Sequence, residues 1–360
     1  MNIVKKLAIG LIGLCILLCL VSFVLPSKVH VERSILIDAS RCTIYAQMDD
    51  YSKFNGWSPW AERDPNTKYT FSGPALGKGA KMAWKSSHPE VGEGSQTITD
   101  TKECESVTTA LDFGQEGLAT ATFVLAKAKG GTNVTWGLDS NLDGVIARYF
   151  GLAFDGMIGP DYEKGLASLK KIAERLPKGD WEGMKFETVA VKAQPYAYVT
   201  TNPAKGADAI GKEFASAYGK VGQYMKAKSV ASAGRPMSIV NSFEASGVVF
   251  DVGIPLASKP VEAAPADVEG AGDAAGPASE GEAAPVAPPD VKLGETPKGK
   301  AIKLVYKGPY KGIEAAAGGL EAYIGARAIQ KVGPSWSQYI SDPGNTEEAD
   351  LITHIYQGIR

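Results

Sequence analysis

From Leu7 to Leu25 the chain carries no charged residue and is almost wholly apolar. As a helix rising about 1.5 Å per residue this stretch reaches about 28 Å, close to the roughly 30 Å hydrocarbon thickness of a bilayer. Lys5 and Lys6 precede it, and Pro26-Ser27-Lys28-Val29-His30 follows without the small-x-small site at which signal peptides are cut. The stretch predicts an uncleaved single-pass anchor, residues 1–27, with its N-terminus inside and the remainder periplasmic or extracellular. Cys15 and Cys19 read as apolar filler of that helix.

The 360 residues suggest about two domains beyond the anchor. Lys and Arg number 38 against 40 Asp and Glu, a net charge of −2 that argues against nucleic acid as a partner. The charge is unevenly spread. Residues 258–290 hold seven acids and Lys259, so that tract contributes −6 and the rest of the chain about +4. The folded parts are thus mildly basic, compatible with anionic lipid headgroups. Rich in Ala, Pro and Gly and free of aromatic residues, the tract predicts a disordered insertion.

Residues 28–177 predict a first soluble domain. A strand at Val29–Ile37 leads to a capping Ser40, a short helix from Thr43 to Met48 and an aromatic-dense loop, Tyr51 to Trp60. Short strand-like runs at hairpin spacing then predict an antiparallel meander between Thr67 and Leu138. Ile158, Tyr162, Leu166, Leu169, Ile172 or Ala173, and Leu176 recur at three- and four-residue steps, the stripe of a long helix that Pro177 ends. Such a helix would lie across the sheet and leave a cavity. Trp57, Trp60 and Trp84 are candidate lining residues, with plain core as the competing reading. Cys42 and Cys104 are too few for a disulfide scaffold, and whether they pair is left open. His88, beside Pro89, reads as a solvated loop residue, and no spacing of His or Cys suggests a metal or cofactor.

These residues, Ile35 to Ser40, Trp57-Ser-Pro-Trp60, Asp64-Pro65, Gly73, Gly77-Lys-Gly79, Trp84 and the terminal helix, resemble the SRPBCC superfamily of START-like and polyketide-cyclase/dehydrase-like proteins. The resemblance implies a helix-grip fold around a lipophilic cavity. It implies no particular chemistry, because carriers, sensors and enzymes share the scaffold.

Residues 178–360 predict a second domain. Met184–Thr201 reads as a strand pair or one bent strand, followed by a helix with Ile210, Phe214, Ala217, Val221 and Tyr224 on one face and by strands at Met237–Phe243 and Gly247–Leu256. The order recurs as a strand at Ala301–Tyr306, a helix from about Gly312 to Ile329, a short segment Trp336–Ser341 and a strand at Leu351–Tyr356. Two βαββ units in tandem predict a pseudo-two-fold domain with a cleft on its axis. The fold class expected for the whole chain is therefore α+β.

Tyr306-Lys-Gly-Pro-Tyr310, Trp336-Ser-Gln-Tyr339, Ser341-Asp-Pro343 and the closing strand resemble the GyrI-like effector-binding family. The resemblance implies that Tyr310, Trp336 and Tyr339 wall a pocket for flat apolar cations. Members that bind cations or hydrolyse strained ligands place a glutamate after the first aromatic residue of that motif, and here the position is Ser337. Glu321, on the second helix, or Glu244 could supply a carboxylate from another direction, with a solvated helix or strand charge as the preferred competing reading. The leading expectation is a membrane-anchored binding protein or sensor for a small hydrophobic or aromatic ligand, without catalytic residues. The alternatives are an enzyme, a cyclase or dehydratase in the first domain or a hydrolase in the second, and a cytoplasmic regulator, for which no helix-turn-helix pattern is present.

Overall fold

The computed structural model describes residues 3–204, 206–245, 247–260 and 287–360. They fall into two units, Met1–Glu182 with Glu321–Ala328, and Gly183–Leu320 with Ile329–Arg360. Most of the expected acidic insertion, residues 261–286, lies outside the described residues. The described parts are mixed α+β, with an apolar N-terminal helix and two antiparallel sheets.

The first unit opens with α1 (Ile3–Ser22), 20 residues that include an 18-residue window of mean hydropathy 2.4 and are long and apolar enough to cross a membrane. The helix starts ahead of Lys5 and stops short of Leu25. Strand β1 (Lys28–Ile37) and three short helices, α2 (Arg41–Tyr45), α3 (Tyr51–Phe54) and α4 (Pro59–Arg63), follow. The stretch expected as an aromatic loop is therefore partly helical. Asp50 Oδ1 accepts from the backbone N–H of Ser52 at 2.9 Å to start α3, and Pro59 occupies the first turn of α4, where its missing N–H costs nothing.

The sheet is completed by β2 (Lys68–Ser72), β3 (Lys81–Lys85), β4 (Glu93–Lys102), β5 (Ser106–Asp112), β6 (Leu118–Ala128) and β7 (Gly131–Asn141). Its order is β1-β7-β6-β5-β4-β3-β2, a meander onto whose last strand the first one pairs, from Lys28↔Asn141 to Ile37↔Thr132. Alternate residues face inward, Ala119, Ala121, Phe123 and Leu125 on β6 and Val134, Trp136 and Leu138 on β7. After α5 (Val145–Gly151), α6 (Phe154–Ala173) covers that face with Tyr162, Leu166, Leu169 and Ala173. Residues 174–176 leave the helix before Pro177, which disfavours helical geometry in the residue ahead of it.

A buried ion pair also belongs to this unit. Arg327 donates to both oxygens of Asp49 at 2.6 and 2.9 Å, and Lys53 Nζ and Gln47 Nε2 donate to the carbonyl of Ala326 at 2.6 and 3.2 Å. Burial pushes the Asp49 carboxyl up, and the two-pronged guanidinium contact counters that shift.

In the second unit β8 (Phe186–Val191), β9 (Pro195–Thr201), α7 (Ala207–Ala227), β10 (Met237–Phe243), β11 (Val248–Pro255), β12 (Lys292–Glu295), β13 (Gly299–Lys307), α8 (Ile313–Ala326), β14 (Lys331–Tyr339) and β15 (Ile352–Ile359) follow in order, α8 passing into the first group of residues at Glu321. The sheet runs β12-β9-β11-β10-β14-β15-β13-β8. The stretch Met184–Thr201 is neither a bent strand nor a hairpin: β8 pairs with β13 at one edge, while β9 lies near the other between β12 and β11. Edge strand β12, just after the acidic tract, was not expected. Helix α8 ends three residues early, because Ala328 turns into the left-handed region at φ 54°.

Cys42 and Cys104, both buried, form a disulfide that closes a 62-residue separation. Cross-linking so long a loop is worth about 2–5 kcal/mol in unfolded-state entropy and strain combined. Cys104→Ser in a chain that is otherwise intact should lower the thermal midpoint clearly, and dithiothreitol should then produce no further drop, as read by circular dichroism.

Candidate functional site

The residues singled out in the second half do not form one wall. Strand β14 sends alternate side chains to opposite faces, and a spacing of three puts Trp336 and Tyr339 on different sides of the sheet. The register agrees: Trp336 pairs with Ile239 and Tyr356, whereas Ser337, the position expected to lack its glutamate, shares the face of Tyr339 and pairs with Ser238.

On the Tyr339 face the sheet packs under α7. Phe214 and Tyr218 of that helix meet Tyr339 edge-on, with ring centres 6.4 and 6.5 Å away. Tyr310 stands 5.5 Å from Tyr339, also edge-on, and keeps 37% of its surface exposed. It is placed by a tight turn. Tyr306 donates to the Pro309 carbonyl at 2.9 Å, and a side chain at Gly312 would meet the Tyr306 oxygen at 2.0 Å, so the bend around Gly308-Pro309-Tyr310 needs the bare glycine backbone. The hydroxyls of Tyr339 and Ser238 are 3.0 Å apart, and Tyr218 donates to the Met237 carbonyl at 3.2 Å.

Burial pushes the Tyr339 phenol up to about 12. Tyr218 is raised well above its usual range by the same cause, and Tyr310 is raised by burial and then by the charge of Asp342. All three phenols keep their protons at neutral pH. They offer ring faces and hydroxyls but no phenolate base.

The opposite face carries a second aromatic group drawn from strands. Trp336, 3% exposed, stacks on Tyr356 at 5.0 Å with planes 4° apart, and Tyr196 stacks on Tyr198 at 5.3 Å. Tyr356 donates to Gln338 Oε1 at 3.0 Å and Tyr196 to the Asp251 carbonyl at 2.8 Å. Lys303 and Glu187 pair at 2.7 Å on this face, and Lys303 holds the Glu187 carboxyl below its usual range.

Glu321 is half-buried in the α8 stretch grouped with the first unit, and Glu244 is exposed and accepts from Asn202 Nδ2 at 3.2 Å. The carboxylate felt by Tyr310 is that of Asp342, in the sequence one member of the Ser341-Asp-Pro343 motif. It is exposed and caps its own turn, accepting from the Gly344 N–H and the Asn345 amide at 2.9 and 2.6 Å.

In the first unit Trp57 is buried among Phe54, Phe123 and Trp136, with its indole N–H donated to the Gln47 carbonyl at 3.2 Å. Trp60 is half-buried, edge-on to Trp136 and Tyr162, which themselves stack at 3.8 Å. Trp84 lies apart, against Phe113 and across the bare backbone of Gly94. Trp136 Nε1 is buried without a hydrogen-bond partner among the described residues, a feature no sequence pattern marks. His88 sits in its turn, accepting from the Glu90 N–H at 3.2 Å. Among the described residues no cluster of three or more His, Cys, Asp or Glu could hold a metal.

Residues 28–174 match the family described as polyketide cyclase / dehydrase and lipid transport. No curated protein matches the chain. Among solved structures it is similar to the C-terminal domain of EcmrR, at 12% identity and a TM-score of 0.37, covering 49% of this chain and 98% of that one. It is similar to the KanY protein at 18% identity and 0.33, covering 41% and 99%. The Aha1 dimer from Colwellia psychrerythraea is matched at 19% identity and 0.30, covering 41% and 97%.

One titration on the strand-built face can be anticipated. Burial, and then Lys303, hold His354 below the usual histidine range. Below about pH 6.5 the unfolded chain takes up a proton that folded His354 resists, so stability should fall as pH drops from there. The urea midpoint of His354→Gln, measured across the same range, should fall less than that of the wild type.

Proposed function

We propose that this chain is a membrane-anchored binding protein for small lipophilic or aromatic ligands, with a GyrI-like effector-binding second half and the folded parts outside the cytoplasm. One observation carries the reading: the exposed ring of Tyr310 stands edge-on to Tyr339, with Phe214 and Tyr218 behind it. Such a wall suits a flat ring, and a cation on it gains about 0.5–2 kcal/mol per aromatic face. The repeated order β9–α7–β10–β11 and β13–α8–β14–β15 supports the effector-binding comparison. Protonated phenols, with Ser337 in place of a glutamate, favour binding over acid–base turnover. The family matched by residues 28–174 includes lipid transport in its description, which suits a lipophilic cargo or sensor role for the first half. The length and hydropathy of α1 support the anchor.

The test is fluorescence polarisation of ethidium and rhodamine 6G with the full chain in lipid nanodiscs, empty nanodiscs serving as blank. Tyr310→Ala should weaken binding by about 2- to 30-fold, the loss of one ring face. Trp336→Phe, on the other side of the sheet, should leave the affinity unchanged. Binding that ignores Tyr310 and fails with Trp336→Phe would move the ligand to the strand-built face and sink this reading.

A further inference from the structure

Where α1 ends, the first unit displays apolar side chains that its core does not use. In α5 and the start of α6, Ile146 is 72% exposed, Phe150 61%, Leu152 66% and Met157 59%. Ile146 and Phe150, four apart, share one face of α5, Leu152 and Ala153 form the exposed turn that follows, and Met157 is exposed at the start of α6. Contiguous exposed apolar surface of this kind marks a contact with another phase or molecule.

These residues are held firmly. Arg148 Nη1 donates to the Ser22 carbonyl at 2.9 Å and the Tyr149 hydroxyl to the Leu18 carbonyl at 2.8 Å, which ties α5 to the last two turns of α1. A side chain at Gly151 would meet Leu142 Cδ1 at 2.3 Å, so α5 lies close on buried Leu142. Arg33 bonds Asp155 at 2.9 and 3.1 Å and Glu163 at 2.8 Å, which fixes the beginning of α6 on β1.

We infer that α5 and the first turn of α6 form a second membrane contact, lying in the interface beside the point where α1 leaves the bilayer. The occupant is lipid rather than protein because these residues lie on the helix that is hydrogen-bonded to the end of α1, whose own apolar residues are exposed, as are Phe23 and Val24 at 74% and 82%. Arg and Tyr at the helix end are the residue types that settle at headgroup level, with Ile146 and Phe150 directed towards the acyl boundary as in interfacial helices. The inference rests on the anchor proposed above.

The experiment uses the full chain in phosphatidylcholine–phosphatidylglycerol nanodiscs. In a Cys15→Ser, Cys19→Ser background, Phe150→Cys and, separately, Ile146→Cys carry an environment-sensitive NBD label. Lys129→Cys at the exposed β6–β7 turn is the aqueous control, and native Cys15, labelled in a Cys19→Ser chain, reports on the anchor. Positions 150 and 146 should show blue-shifted emission, loss of intensity with shallow nitroxide lipids and protection from iodide, while position 129 shows the reverse. If Cys15 is quenched by lipid nitroxides but 150 and 146 behave like 129, the interfacial contact is refuted and the anchor stands. If Cys15 also behaves like 129, the anchor falls and takes this inference with it.

Discussion

Side chains leave a strand alternately to its two faces, and that constraint organises the second unit more than any single contact does. Trp336 and Tyr339 look like one motif because three positions separate them, a spacing that brings residues together on a helix. On β14 the same spacing sends them apart. Trp336 joins a stack with Tyr356, while Tyr339 joins Tyr310 and the aromatic side of α7. Ser337 goes with Tyr339. The position at which the effector-binding resemblance would place a glutamate therefore lies on the tyrosine side of the sheet, not with the tryptophan stack.

The first unit meets a related demand. One face of its sheet needs cover, and α6 supplies it with a stripe whose members can be counted in the sequence, from Tyr162 to Ala173. The wide rings of Trp57, Trp60, Phe123, Trp136 and Tyr162 meet edge-on or stacked, arrangements favoured by the aromatic quadrupole. Trp57, with its N–H already bonded to Gln47, contributes to packing. Trp60 is half-buried at the margin of the same cluster.

Periodic features were legible and pairings were not. The apolar N-terminal run, the α6 stripe, the helix around Phe214 and the strands of the meander all rest on local repetition, which one segment reveals by itself. The separation of β8 from β9 depends on partners more than a hundred residues away, since β13 claims β8. The Cys42–Cys104 bond is set by the meander bringing the β4–β5 turn back to α2, a tertiary fact invisible to spacing. The effect of Asp342 is hidden in the sequence for a similar reason. Its charge matters through its nearness to Tyr310, and nothing in Ser341-Asp342-Pro343 announces that.

These placements narrow the kind of ligand that suits the tyrosine wall. A buried carboxylate would favour a cation strongly but would cost desolvation whenever the site stood empty. Here the acid near Tyr310 is exposed and already caps a turn, so its field at the ring is weakened by solvent and by its own hydrogen bonds. In the proposed site, selection would then come from shape and from phenol hydroxyls, which are protonated at neutral pH. Such a surface discriminates by flatness and apolar area more than by charge, and it would accept neutral aromatic or lipophilic molecules alongside cations. The proposed anchor would situate the chain well for that class, because lipophilic molecules concentrate in membranes.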